Sequence, residues 1–478
     1  MALDPDRTLG DYYDEIRQIY LADNRPWVLG YSGGKDSTCA LQMVWIALSQ
    51  LPVEQRSKPV YVISSDTLVE TPVVARYIDT TLTRIKIAAD EQNLPFLTEK
   101  VMPDTDRSFW VNLIGRGYPA PSRRFRWCTE RLKIEPANAF IKDRVAEFGE
   151  VVMILGVRLA ESATRAQVMA LHKVKGSRLA RHSSLLNAFV YPPIEHFSTD
   201  DVWNYLLQVE NPWGNDNRDL LAMYRNAQAG ECPLVVDTTT PSCGNSRFGC
   251  WVCTVVEKDR TMEAMVDSGE EWLEPLLAYR NLLADTQDPE RKLDFRDFRR
   301  RTGGVSFIKD TDRVMPGPYT LAFCRDLLRQ LLQTQLDVAR AAPPGEAVVL
   351  VQEAELHAIR KIWRAERGDW ADSVPKIVRE VLGKDLDWID DDAVNFNADD
   401  EDLLASICTE QDIPAVLIQK LLDVERAAHG SKRRHRVHTQ IEELLRLDWR
   451  DLETLVAERR LQVEPPVSQS LSEADSSS

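Results

Sequence analysis

The stretch WVLGYSGGKDSTCALQMVWIAL, residues 27–48, decides the fold. Its first five residues are apolar and typical of a buried strand, whereas the apolar segment 39–50 is typical of a helix packed against a sheet. Between them, the adjacent glycines Gly33 and Gly34 allow backbone conformations with positive φ, so that successive N–H groups can point into one concavity. Such a nest in front of a helix N-terminus binds phosphate. The stretch therefore predicts an anion-binding loop between a strand and a helix.

The polar side chains of this loop suit a phosphate or pyrophosphate group. Ser32, Ser37 and Thr38 supply hydroxyl donors, and Lys35 supplies a positive charge. Asp36 is unusual in an anion site, and two roles are open to it: holding Mg²⁺ on a triphosphate or capping the helix. The spacing matches neither the phosphate-loop pattern GxxxxGK[ST] nor the dinucleotide pattern GxGxxG.

Strand-like and helix-like segments alternate beyond the loop. Residues 59–64 and 151–157 have the short, apolar, β-branched composition of buried strands. Residues 72–92 and 134–149 have helical patterns, and Ser198 is placed to cap a further helix. This alternation predicts an α/β fold with a doubly wound, mostly parallel sheet.

The remaining chain is expected to add a cysteine-rich insertion and a helical C-terminal region. An APPG run at 342–345 is a plausible linker, and the Ser-rich, acidic end of the chain predicts disorder. The predicted divisions are a nucleotide domain at 1–225, a cysteine region with a helical extension at 226–341, helices at 346–462 and a disordered tail at 463–478.

Composition limits the possible partners and compartments. The chain has 478 residues and a formal net charge of −16, so it lacks the globally basic surface of many nucleic-acid-binding proteins. Any DNA contact must use local basic patches, for which residues 123–126, 299–301 and 432–436 are candidates. No apolar run is long enough for a membrane span, and we expect a reducing, cytoplasmic location without membrane contact.

The loop and four later segments resemble one enzyme superfamily. Residues 32–37 resemble the SGGxDS loop of the PP-loop ATP pyrophosphatases, which split ATP between its α- and β-phosphates and adenylylate a substrate. Segments 66–72, 126–136, 156–165 and 193–206 are similar to motifs of phosphoadenosine-phosphosulfate (PAPS) reductases. The match departs from the CCxxRKxEP motif at 126–136, where a threonine replaces the second cysteine. The resemblance covers about residues 25–210.

This resemblance implies a nucleotide site at the carboxyl ends of the strands, where ligands bind in open parallel sheets. Asp66 would reach the ribose or the metal, and two arginines would bind phosphate oxygens. The cofactors implied are ATP and Mg²⁺. The residues assigned to the nucleotide are Ser32, Gly33, Gly34, Lys35, Asp36, Ser37, Thr38, Asp66, Arg158 and Arg165, of which Lys35, Asp36 and Ser37 are also assigned catalytic roles.

Four cysteines are grouped at 232–253 with the spacing C-x10-C-x6-C-x2-C. Thiolates so spaced can hold a [4Fe–4S] cluster or tetrahedral zinc. Structural zinc sites usually pair two C-x2-C turns, whereas one half of this pattern is widely spaced, so the cluster is favoured and zinc is the alternative. The predicted ligands are Cys232, Cys243, Cys250 and Cys253.

The intact loop, the reductase-like middle and the segment FGCWVCTVVEKDRTM at 248–262 together resemble the DndC family of DNA phosphorothioation sulfurtransferases. That resemblance implies an iron–sulfur enzyme that activates a DNA backbone phosphate by adenylylation, so that sulfur replaces a non-bridging oxygen. The implied partners are DNA as substrate, cysteine desulfurase as sulfur donor, and other proteins of the phosphorothioation system.

Cys128 is a candidate carrier of the sulfur. Its neighbours Arg126, Arg131 and Lys133 are expected to lower its pKa and thereby to favour the nucleophilic thiolate.

Three other functions remain open at this stage. A sulfonucleotide (PAPS) reductase would share the middle segments, and a PP-loop tRNA thiolase would also combine the loop with an iron–sulfur cluster. The alternative without catalysis is a zinc-stapled DNA-binding scaffold whose loop senses nucleotide.

Overall fold

The protein is described from a computed structural model. The described residues are 7–161, 172, 177–227, 249–388, 396–428 and 435–463. The chain folds into two compact units, each of which is discontinuous in sequence. The first unit comprises 1–109, 121–284 and 334–350, and the second comprises 110–120, 285–333 and 351–478.

The first unit contains a six-stranded sheet. Its strand order is β3-β2-β1-β4-β6-β5, and all neighbours are parallel except β5 and β6. The predicted doubly wound, mostly parallel sheet is therefore confirmed. The strands are β1 Trp27–Gly30, β2 Val60–Ser65, β3 Phe96–Val101, β4 Val151–Ile154, β5 Ala180–Arg181 and β6 Ala188–Tyr191.

The two faces of the sheet are buried in separate cores because successive strand residues point to opposite sides. Trp27 and Leu29 lie in one core, which also takes apolar side chains from the first three helices. Val28 lies in the other core, where it meets Ala137 and Ile141. Burial on both faces explains why β1, β2 and β4 have continuous apolar sequences.

Helices precede, connect and follow the strands. Those of the first part of the chain are α1 Leu9–Leu21, α2 Lys35–Ser49, α3 Pro72–Glu91, α4 Trp127–Thr129, α5 Glu135–Phe148, α6 Thr199–Gln208, α7 Asn217–Ala227, α8 Arg260–Asp267 and α9 Glu274–Asp285. Those that follow are α10 Lys292–Phe295, α11 Leu321–Ala341, α12 Glu353–Glu366, α13 Ser373–Leu382, α14 Ala398–Glu410, α15 Ala415–Ala427, α16 His435–Leu445 and α17 Leu452–Val463. Among the described helices, none is long and apolar enough to cross a membrane.

Local predictions agree with this fold in most places. The three predicted strands are present, and Ser198 caps α6 in a capping box with Asp201. The sequence analysis missed β3, whose FLTEKV sequence is buried only at Phe96 and Val101 and therefore lacks a continuous apolar run. The helical extension predicted within 226–341 is interrupted after α10, where the chain forms isolated bridges such as the one between Arg299 and Val305.

Candidate functional site

The loop between β1 and α2 lies at the point in the sheet where the strand order reverses. β1 pairs with β2 on one side and with β4 on the other, and a crevice at such a reversal is the usual ligand site of an open α/β sheet. Gly33 has a φ of +73°, which suits glycine, and Gly34 is the N-cap of α2. The predicted strand–loop–helix arrangement is therefore present.

Hydroxyl groups accept hydrogen bonds from three amides of the loop. The amide of Ser32 donates to Ser37 Oγ at 3.2 Å, and the amide of Gly34 donates to Ser32 Oγ at 3.4 Å. The amide of Lys35 donates to the hydroxyl of Tyr224, on α7, at 3.1 Å. An anion seated on these amides would take the place of the hydroxyl acceptors, which requires the side chains of Ser32, Ser37 and Tyr224 to shift.

A buried group of three charges supports the loop. The carboxylate of Asp36 lies 2.7 Å from Lys35 Nζ and 2.7 Å from Arg158 Nε. All three residues are at most 5% exposed. Two cations around one carboxylate leave a net positive charge beside the N-terminus of α2, where anions are favoured.

This arrangement decides against one of the two roles open to Asp36 and shows which partners Asp36 and Arg158 have. Asp36 does not cap α2, since the N-cap is Gly34 without a side-chain cap bond. Both Asp36 oxygens accept from cations, so the carboxylate ties Lys35 and Arg158 to the first turn of α2. Arg158 binds Asp36 and lies 3.4 Å from both the Phe197 carbonyl and the Thr199 hydroxyl; it supports the loop from behind. Thr38 is also buried, at 2% exposed.

Gly156 follows β4 and allows the chain there to pack closely against the loop. A Cβ on this residue would lie 2.6 Å from the Asp36 carbonyl oxygen and 2.9 Å from the Ser37 amide nitrogen. Only glycine allows two backbones to approach so closely. The first turn of α2 is therefore fixed by the chain that leads to Arg158.

Asp66, which follows β2, has two partners. Its carboxylate lies 2.7 Å from Lys100 Nζ and accepts the Leu68 amide at 2.9 Å. Arg165, the second predicted phosphate-binding arginine, lies outside the described residues.

The C-x2-C pair is placed beside the segment that follows β2. Cys250 forms an isolated antiparallel bridge with Glu70, and its sulfur lies 3.3 Å from the Thr67 hydroxyl. The Cys253 amide donates to the Cys250 carbonyl at 3.1 Å, which makes a tight turn. The main chain at Cys253 is held by Arg280, whose Nε donates to its carbonyl at 3.0 Å.

Cys128 lies near this pair, on α4, and a π-helical turn at 130–134 joins α4 to α5. Burial, together with the neighbouring Cys250 and Cys253, raises the pKa of Cys128 to about 12, while Lys133 opposes the rise. Burial likewise raises the pKa of Cys250 to about 11. The prediction of a low pKa for Cys128 is therefore wrong, because loss of hydration outweighs the nearby positive charge.

The structure thus brings Cys128 towards Cys250 and Cys253, although the sequence analysis assigned it a separate role. Cys232 and Cys243 lie outside the described residues. Within the described ranges, no three histidine, cysteine, aspartate or glutamate side chains are placed to hold one metal ion between them.

Sequence reasoning did not find several residues of this site. Tyr224 is 189 positions away from Lys35 and carries no motif. Glu70 and Thr67 were noted only as part of a resemblance, yet Thr67 donates to both Glu70 oxygens, at 3.0 Å from its amide and 2.6 Å from its hydroxyl. Burial raises the pKa of Glu70, with Lys133 opposing the rise.

Substitution of Tyr224 by phenylalanine is expected to strengthen pyrophosphate binding about fivefold. The variant removes the hydroxyl that accepts the Lys35 amide, and one neutral hydrogen bond is worth about 1 kcal/mol. The dissociation constant for pyrophosphate should be measured by calorimetry, with Tyr118→Phe as the control. Weaker binding by the Tyr224 variant would mean that the hydroxyl contacts the anion instead of competing with it.

Comparisons with known proteins show what the part of the chain that carries this site is similar to. Residues 26–255 match the family described as phosphoadenosine phosphosulfate reductase domain. An uncharacterized protein of Methanocaldococcus jannaschii is 26% identical over 242 residues, which are 51% of this chain and 39% of that protein. The chain therefore spans well under half the length of this relative.

One solved structure that the chain resembles is that of phosphoadenylyl-sulfate (PAPS) reductase from Candida auris in a phosphate complex. The similarity covers 41% of this chain and 77% of that one, at 15% identity and a TM-score of 0.26.

Proposed function

We propose that this chain, with its PAPS reductase-like domain at residues 26–255, is a sulfurtransferase of the ATP-pyrophosphatase type that acts on DNA. It activates a backbone phosphate by adenylylation and replaces a non-bridging oxygen by sulfur. The observation that carries the proposal is the loop at 32–37, with its hydroxyl-bound amides and the net positive charge of Lys35, Asp36 and Arg158 behind them.

The proposed reaction has three steps. A DNA phosphate oxygen attacks the α-phosphorus of ATP, and the bond to pyrophosphate breaks. A persulfide from the sulfur donor then attacks the DNA phosphorus, and AMP leaves. A thiol finally cleaves the sulfur–sulfur bond, which leaves the phosphorothioate on DNA and a disulfide between thiol and donor.

The loop residues act on the pyrophosphate part of ATP. Backbone amides and the helix N-terminus bind the β- and γ-phosphates and stabilise the charge that develops on the leaving pyrophosphate. Lys35 supplies a positive charge beside the loop. The Ser37 hydroxyl donates to the Gly34 carbonyl at 3.0 Å and thereby stabilises the loop conformation. Arg158 positions the loop through its ion pair with Asp36.

Magnesium would neutralise phosphate charge when bound with ATP. Asp36 and Asp66 already accept hydrogen bonds from cations or amides, so we assign the metal to the triphosphate.

An iron–sulfur cluster would suit the C-x2-C pair, because Cys250 and Cys253 lie on one tight turn. We assign Cys250 and Cys253 as two of its ligands, with Cys232 and Cys243 as the other two. Binding to iron would stabilise the thiolates that burial disfavours.

This ligand set predicts that Cys253→Ser loses most of its iron and sulfide, as Cys250→Ser does, whereas Cys128→Ser keeps both. The chemical reason is that a serine hydroxyl is a poor ligand for cluster iron. Iron, sulfide and zinc should be measured after anaerobic purification, with Cys408→Ser as a control from the second unit. Full iron in both Cys250→Ser and Cys253→Ser would exclude this pair as ligands, and stoichiometric zinc without iron would favour the zinc alternative.

The proposed function is tested by the products formed from ATP and by the DNA. We expect AMP and pyrophosphate, together with phosphorothioate dinucleotides in the genomic DNA of an expressing strain, detected by mass spectrometry. ADP and orthophosphate as products would rule out this use of the loop.

A sulfonucleotide reductase is the second candidate, and the match of residues 26–255 to the PAPS reductase domain favours it. Sulfite released from PAPS in the presence of a thiol, with no AMP and pyrophosphate formed from ATP, would decide for the reductase.

A further inference from the structure

An open cavity of about 350 Å³ lies in the first unit, beside the cysteine turn. It is lined by three cations, Arg123, Lys258 and Arg260, together with Glu257 and Val256. All three cations are exposed. The walls of the cavity therefore carry three positive charges against one negative charge, which suits an anion that arrives from solvent.

Arg123 is held over the cavity by a rigid turn. Ser122 and Phe125 exchange two backbone hydrogen bonds of 3.1 Å, so Arg123 and Arg124 form the tip of a two-residue turn. The Thr254 hydroxyl donates to the Pro121 carbonyl at 2.6 Å, which ties this turn to the cysteine segment. The tip is thus positioned by the same chain that carries the C-x2-C pair.

Lys258 and Arg260 flank the start of α8. The residue between them, Asp259, accepts the Met262 amide at 3.0 Å and caps the helix, so its carboxylate has a structural role of its own. Lys258 and Val256 also line a smaller neighbouring cavity, which Cys250 and Cys253 help to form. An anion bound between Arg123 and Lys258 would therefore lie next to the cysteine pair.

We propose that this cavity binds the sugar–phosphate backbone of DNA and delivers it to the cysteine side of the site. The inference rests on the proposed function and specifies where its substrate binds. Exposed cations spread around an open cavity suit a chain of phosphates, whereas the buried charges behind loop 32–37 suit the pyrophosphate of one nucleotide.

The test replaces the three cations together, in the full chain, as Arg123→Gln, Lys258→Gln and Arg260→Gln. Binding of a DNA duplex is measured by fluorescence anisotropy, without ATP, at several salt concentrations. The slope of log affinity against log salt should become shallower by about 3, one unit for each lost phosphate contact. The control triple, Lys86→Gln, Lys142→Gln and Arg181→Gln, removes the same charge from exposed positions of the same unit and should keep the slope of the unmodified chain.

The variant with all three cavity cations replaced is called the pocket triple. The inference would be overturned if the pocket triple bound DNA with the affinity and the salt slope of the control triple. A loss of PAPS binding in the pocket triple with DNA binding intact would also overturn it, because the cavity would then serve a free nucleotide. Since the assay needs no turnover, its outcome is independent of whether ATP yields AMP and pyrophosphate.

Discussion

Replacement of Asp36 by alanine is expected to lower the free energy of unfolding by about 3–5 kcal/mol, the range for removing one partner of a buried ion pair. Asp36 is 2% exposed and lies between Lys35 and Arg158, which would remain buried without a counter-charge. Urea unfolding followed by tryptophan fluorescence measures the loss. Binding of pyrophosphate should fall as well, because Asp36 holds both cations in place beneath the loop.

Asp14 provides the matched control, since it forms an ion pair with Arg17 on the surface of α1 and is 59% exposed. Asp14→Ala should cost about 0–1 kcal/mol, as exposed ion pairs do. Equal losses for the two variants would show that the Asp36 group is hydrated and not buried. A double variant, Asp36→Ala with Arg158→Met, should recover part of the lost stability, because only one unpaired cation then remains.

The sequence sufficed to predict the sheet and the loop because their signals are local. The predicted strands are buried on both faces of the sheet, and a strand buried in this way has a continuous apolar sequence. This holds for residues 27–31, 59–64 and 151–157. The two glycines and the hydroxyl residues of the loop are likewise adjacent in the chain. Local sequence is therefore enough to place an anion site at the N-terminus of α2.

The partners of the site residues were beyond the sequence because they come from distant segments. Arg158 reaches Asp36 across 122 positions, and Tyr224 reaches Lys35 across 189. Only the completed sheet brings the ends of β1 and β4 together. Lys35, Asp36 and Arg158, which the sequence analysis assigned to the nucleotide, consequently form ion pairs with one another that no motif predicts.

The predicted electrostatics of Cys128 failed for a different reason. Arg126, Arg131 and Lys133 all lie within five residues of this cysteine, which suggests a stabilised thiolate. The folded chain surrounds the sulfur closely enough that desolvation raises its pKa to about 12. The sequence shows which charged residues lie close to Cys128 in the chain, but it does not show how deeply the sulfur is buried. Burial has the larger effect on the pKa of Cys128.

Replacement of Gly156 by alanine is expected to destabilise the fold by about 1–3 kcal/mol and to weaken pyrophosphate binding about tenfold or more. The added Cβ would lie 2.6 Å from the Asp36 carbonyl oxygen and 2.7 Å from its carbonyl carbon, so two backbone segments must separate. Neither can move freely, because one opens α2 and the other leads from β4 to Arg158. Calorimetry with pyrophosphate and urea unfolding together measure both effects.

Gly10→Ala is the control for the added methyl group, since its Cβ would meet only Thr8 Oγ1, at an ordinary 3.5 Å. Gly10 lies in α1, where alanine favours the helix, so this variant should be as stable as the unmodified chain or slightly more stable. Normal pyrophosphate binding by Gly156→Ala would mean that the end of β4 does not fix the loop. A large loss of binding with a small loss of stability would instead place the effect at the loop itself, because the sheet would remain folded while the amides moved away from the position that an anion requires.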